Sequence, residues 1–149
     1  MLVKTHLAIG FAVALYFSRL VNNLWIFIPV VILSSLIPDI DSGFSFLGRR
    51  GLFKPVQWTT VHRGVLHSYT LAILGSLILA LWFPLFALPF FLGYAFHLFA
   101  DSFTVQGIKP FWPLKFVSSG VVRSGSAVEK AIFFSFVIFD LFLLGWYLF

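Results

Sequence analysis

Seven residues able to bind a metal or move a proton stand out in an otherwise apolar chain: His6, Asp39, Asp41, His62, His67, His97 and Asp101. Ionisable groups in apolar helices cost about 2.5 to 3.5 kcal/mol each on insertion scales and usually mark function. His97 and Asp101 are four apart, which on a helix puts both side chains on one face within reach of one ion. In Pro38-Asp39-Ile40-Asp41 the proline disfavours helix at Ile37. An extended segment there would point both carboxylates the same way. His62 and His67 are five apart and would diverge by roughly 140° on one helix. Either His62 precedes the helix or the two histidines serve different ions.

The chain has no cysteine, so any metal must use nitrogen and oxygen ligands, which favours zinc, manganese, magnesium or iron. Seven candidates exceed the three or four ligands of one catalytic zinc, and the count favours two divalent ions with Asp101 or Asp41 as a bridge. Ser68, Ser102, Thr104 and Glu129 are available to orient ligands or water. Glu129 can equally cap the helix it begins. Arg63 beside His62 either orients the chain by its charge or grips phosphate oxygens during catalysis. Asp140 lies away from the others and reads as structural.

The elements that must carry these residues are set by composition. Of the 149 residues 60% are hydrophobic and 10% charged, with a mean hydropathy of +1.02, outside the mixture of a soluble domain. Five apolar stretches stand out: Leu2 to Leu20, Leu24 to Ile37, Val61 to Phe83, Leu85 to Phe103 and Val128 to Phe149. They predict an all-α, single-domain integral membrane bundle of about five transmembrane helices spanning residues 1–149. The first stretch reads as a retained span and not a cleaved signal, since no small-residue cleavage site is evident.

Lys4, the group Arg49, Arg50, Lys54 and Arg63, and the group Lys109, Lys115, Arg123 and Lys130 all fall on one side of that bundle, with Arg19 opposite. The positive-inside rule then makes the N-terminus cytoplasmic. The formal charge of +5 therefore suits membrane orientation and anionic headgroups, and no nucleic-acid partner is expected. All seven candidate ligands fall in the same, cytoplasmic leaflet. The 21 phenylalanines need no cofactor, because apolar helices take aromatics freely.

Ile37-Pro38-Asp39-Ile40-Asp41, His62-Arg63-Gly64-Val65-Leu66-His67-Ser68, and His97-Leu98-Phe99-Ala100-Asp101-Ser102 with Thr104, Gly107 and Trp112-Pro113 beyond it, together resemble the YdjM-type inner-membrane metal-dependent hydrolases. That family looks distantly similar to zinc-dependent phospholipase C and P1-type nucleases. The resemblance implies an inner-membrane location and a metal site made of His6, Asp39, Asp41, His62, His67, His97 and Asp101. Ser42 stands where many relatives have a further histidine.

The favoured expectation is a metal-dependent hydrolase that cleaves a phosphoester of a phospholipid or other membrane-associated substrate at the cytoplasmic face. Metal-activated water would attack, Asp39 or Asp41 would accept its proton, and Arg63 would steady the phosphoryl oxygens. Two other classes stay open. A metal-ion transporter would use similar ligands, although nearer the midplane. A non-catalytic interaction protein would use metal only to staple helices together.

Overall fold

The structure is a computed structural model that describes residues 1–41 and 64–148. Among the described residues five α-helices form: α1 Val3–Phe17, α2 Leu24–Ser34, α3 Tyr69–Trp82, α4 Pro84–Ser102 and α5 Ala127–Leu148. Short 3₁₀ turns at Ser18–Leu20, Ile37–Asp41 and Val65–His67 join them. Local sequence sets the helix starts. Asn23 accepts the Ile26 N–H at the head of α2, and Ser68 accepts the Leu71 N–H at the head of α3. Pro84 opens α4, where its missing N–H costs nothing.

Contacts between side chains fix the directions. The short turn at Ser18–Leu20 leads α1 back into α2, and Ser35 beyond the end of α2 meets Gly10 of α1, so these two helices run antiparallel. Gly75 of α3 meets Phe90 of α4 in a hairpin turned at Phe83 and Pro84. Helix α5 runs parallel to α1: Lys4 lies over the Phe133 ring near the start of both, and Arg19 donates to the Trp146 carbonyl at 2.7 Å near their ends. Ile9, Val13, Ala14, Phe27, Val31, Leu92 and Ala100 form the core where α1, α2 and α4 meet. Outward faces leave Leu33, Leu77, Ile78, Leu81, Trp82 and Ile138 exposed, a surface that suits lipid better than water.

The expectation of about five transmembrane helices is corrected here. Among the described residues one helix, α4, combines the length and apolar composition of a membrane crossing. At 15, 11 and 14 residues, α1, α2 and α3 fall short of the ~20 that a crossing needs. Helix α5 has 22 residues, with Glu129 in its first turn. Apolar composition marks where the chain avoids water, and caps decide where helices begin. Among its described residues the third apolar stretch contributes α-helix only from Tyr69, because His67 lies in a 3₁₀ turn and Ser68 caps the N-terminus of α3.

The extended reading of Pro38 to Asp41 is also corrected, since Ile37–Asp41 is a 3₁₀ turn. Proline's fixed φ suits an early position in such a turn, and the Asp39 N–H reaches the Leu36 carbonyl at 3.3 Å. Alternate residues no longer share a face there.

Candidate metal centre

Four elements deliver polar side chains to one end of the packing. His6 sits in the first turn of α1, Asp39 just beyond α2, His67 just ahead of α3, and His97 with Asp101 in the last turns of α4. Antiparallel packing of α1 with α2 and of α3 with α4 brings these ends together. The approach of α2 to α4 depends on Gly93, where a Cβ would lie 2.2 Å from the Val31 carbonyl oxygen and 3.0 Å from the Ser35 nitrogen. His97, one helical turn on, is thereby brought against Ser35. The His67 turn is tied to α4 by the Tyr94 hydroxyl, which donates to the Leu66 carbonyl at 2.6 Å.

Asp39, His67, His97 and Asp101 each offer one ligand atom, and these atoms lie within 4.8 Å of one another. His67 Nε2 is 3.7 Å from Asp39 Oδ1 and 3.7 Å from Asp101 Oδ2. His97 Nε2 is 3.8 Å from Asp39 Oδ1 and 3.9 Å from Asp101 Oδ2. Edges of a tetrahedral zinc site are about 3.4 Å, from metal–ligand distances near 2.1 Å. The four histidine–aspartate separations are wider by a few tenths of an ångström, and all pairs of ligand atoms stay within 4.8 Å. His67, His97 and Asp101 are fully buried, whereas the Asp39 side chain keeps 14% of its surface exposed.

The protonation of His97 tests whether a cation fits. Its Nδ1 lies 2.7 Å from the Ser35 carbonyl oxygen, which can only accept, so the ring proton is on Nδ1. In the neutral ring Nε2 then carries a lone pair that faces two carboxylate oxygens. At 3.8 and 3.9 Å neither is a hydrogen-bond partner. A second proton on so deeply buried a ring carries a heavy desolvation cost. A cation among the four atoms removes the conflict, and a backbone carbonyl holding the far nitrogen is the usual support of a metal-binding histidine. The cluster is a His₂Asp₂ set able to coordinate one divalent metal.

Asp39 is suited to act as an anion. Burial works to raise its pKa, but the His67 imidazole beside it and the field of His97 and His6 more than offset this and hold it below the ordinary carboxylate range.

His6 stands just outside the four-atom set. Its ring stacks on His97 with centroids 3.7 Å apart and 13° between planes, and its Nε2 is 3.3 Å from Asp101 Oδ1. The Met1 amino group also pairs with Asp101 Oδ1. Asp101 therefore turns its two oxygens in two directions, Oδ2 to His67 and His97, Oδ1 to His6 and Met1.

His62 and Arg63, and the Asp41 side chain, lie outside the described residues. Of the supporting residues expected from the sequence, Ser68 caps α3 and Ser102 donates to the Phe99 carbonyl at 2.6 Å. Thr104 donates to the Asp101 carbonyl at 2.7 Å, bracing the last turn of α4. Glu129 acts as a clamp. It accepts the Leu2 N–H at 2.5 Å, the Thr5 hydroxyl at 3.1 Å and the Gly125 N–H at 2.5 Å, joining the starts of α1 and α5. Sequence reading missed Ser35, since a backbone carbonyl leaves no mark in residue type. The spacing of Gly93 four residues before His97 was the available clue.

The arrangement of four helix ends around two histidines and two aspartates has counterparts in known sequences. A model of the family described as "YdjM inner membrane protein" matches residues 1–148. The chain belongs to this YdjM family. Inner membrane protein YdjM of Escherichia coli (strain K12) is 33% identical over 131 residues, covering 80% of this chain and 67% of the relative. The protein of the same description from Shigella flexneri matches to the same extent. No solved structure matches the chain significantly. YdjM family membership places the protein in the inner membrane of the cell.

Proposed function

We propose that this YdjM family member is a membrane-bound metal-dependent hydrolase that cleaves a phosphoester of a phospholipid or similar membrane-associated substrate at the cytoplasmic face. The observation that carries the proposal is the His97 ring, held at Nδ1 by the Ser35 carbonyl with its Nε2 lone pair turned toward Asp39 and Asp101. A divalent ion bound there, zinc first among the candidates, would supply an acidified water and a positive charge for phosphoryl oxygens. The protein's part is to hold His67, His97 and Asp101 in a fully buried wall and to leave Asp39 at its accessible edge. That exposure makes Asp39 the better placed of the described carboxylates to accept a proton from water. Arg63 and Asp41 complete the proposed machinery, the first against the phosphoryl oxygens, the second as a further ligand or base.

The two-directional Asp101 supports a second ion as part of the same proposal. His6 and Asp101 Oδ1 would hold it, with Asp41 and His62 from the adjoining segment. On this reading, a relation to zinc-dependent phospholipase C and P1-type nucleases would rest on their shared use of histidines and aspartates as metal ligands. A second reading, a metal staple without turnover, is favoured by one feature: two histidines and two aspartates are enough to close a tetrahedral site.

Purified metal-loaded protein incubated with a panel of phospholipids in mixed micelles separates these readings. Released phosphorylated headgroup or diacylglycerol, lost in His97→Ala, is the expected result. Absence of turnover across the panel, or turnover undiminished in the variant, would overturn the hydrolase reading.

A further inference from the structure

An apolar groove of about 540 Å³ runs beside the metal cluster between α1, α4 and α5. Each helix gives it one stripe. Ile9, Val13 and Phe17 recur at four-residue intervals on α1, Ile132 and Phe136 do the same on α5, and Phe99 lies on the α4 side. Helices α4 and α5 both pack on α1, whose stripe forms the floor. Among the described residues no charged side chain lines the groove.

We infer that this groove binds one acyl chain of a bilayer phospholipid, with the headgroup end at Asp101. The headgroup placement rests on the hydrolase reading; the chain placement does not. Continuity supports the first. Ala100 and Met1 line the groove, Ala100 adjoins Asp101 in the chain, and the Met1 amino group pairs with Asp101 Oδ1. Size and chemistry support the second. A protein helix laid in the groove would be about 10 Å across with its side chains. A single hydrocarbon chain needs far less width and brings no backbone polar group into an apolar lining. The outer faces bearing Leu81 and Trp82 are exposed without lining this groove, so they meet bulk lipid instead.

The test uses the full chain in liposomes of phosphatidylethanolamine and phosphatidylglycerol, doped with phosphatidylethanolamine carrying a mid-chain diazirine. After irradiation the adducts are mapped by peptide mass spectrometry. Adducts should concentrate on the α1 and α5 stripes and fall about tenfold, equivalent to 1.4 kcal/mol of binding, in Ile132→Trp. Phe136→Trp, filling the same groove from the next turn, should repeat the loss if the first variant folds poorly. Metal content should stay unchanged in both.

Adducts spread evenly over the outward faces, or unaffected by either tryptophan, would overturn the inference. So would cross-links to a second copy of the chain through the stripes. Labelling needs no turnover. Groove adducts without hydrolysis would sink the hydrolase reading alone, and hydrolysis with scattered adducts would sink the groove alone.

Discussion

His97 Nδ1 lies 2.7 Å from the Ser35 carbonyl oxygen, and this contact across two helices decides the chemistry of the opposite ring nitrogen. It fixes the tautomer, turns a lone pair toward Asp39 and Asp101, and depends on how closely α2 approaches α4. Gly93 controls that approach, because any Cβ there would meet the Val31 carbonyl oxygen at 2.2 Å. Gly93→Ala is therefore expected to destabilise the fold by about 1 to 3 kcal/mol through overpacking. Metal affinity should fall about 10- to 100-fold, as when the outer support of a ligand is lost. Thermal unfolding and chelator competition in detergent measure the two effects.

Asp101 has partners on both sides. Asp101→Asn should cost about 3 to 5 kcal/mol, because the Met1 ammonium loses its buried counter-charge while His6 loses its carboxylate neighbour. Added metal should not restore the stability. Denaturation curves with and without added zinc check this.

Glu129 is expected to behave as a structural clamp. Glu129→Ala removes the acceptor for Leu2, Thr5 and Gly125 and should cost about 2 to 4 kcal/mol, at roughly 1 kcal/mol or somewhat more per hydrogen bond. Glu129→Gln keeps one carbonyl oxygen and should lose less. Metal stoichiometry should match the wild type in both, whereas a base or ligand role would lower turnover or metal content at unchanged stability.

A bound ion should stabilise the folded chain by linkage. Chelation should lower the unfolding temperature, and adding free zinc at about one hundred times its dissociation constant should return about 2.7 kcal/mol. A variant lacking both His67 and His97 should respond less than the wild type to both treatments. The comparison is made by thermal unfolding at constant detergent.

Part of this organisation was legible in the sequence. The four-residue interval from His97 to Asp101 is dictated by helix geometry alone, and their side chains do share one face of α4. Polar residues gathered at one end were equally readable, because a chain this apolar makes each ionisable group conspicuous. Helix limits were not. The third apolar stretch was drawn through His67 and Ser68, yet a 3₁₀ turn and a cap there make the helix start at Tyr69, and it is shorter than a membrane crossing needs. The turn at Asp39 was misread because proline restricts the residue before it but also suits the start of a tight turn. The link from Glu129 to Leu2 joins residues 127 positions apart and leaves no local pattern.

The most direct test is the metal content of tag-free protein, purified in detergent, loaded with zinc or manganese and freed of excess ion, compared with a His67→Ala/His97→Ala double variant. Elemental analysis should find at least one tightly held divalent ion per wild-type chain and none at that site in the variant. A metal-free wild type after loading, or equal metal in both proteins, would contradict the account.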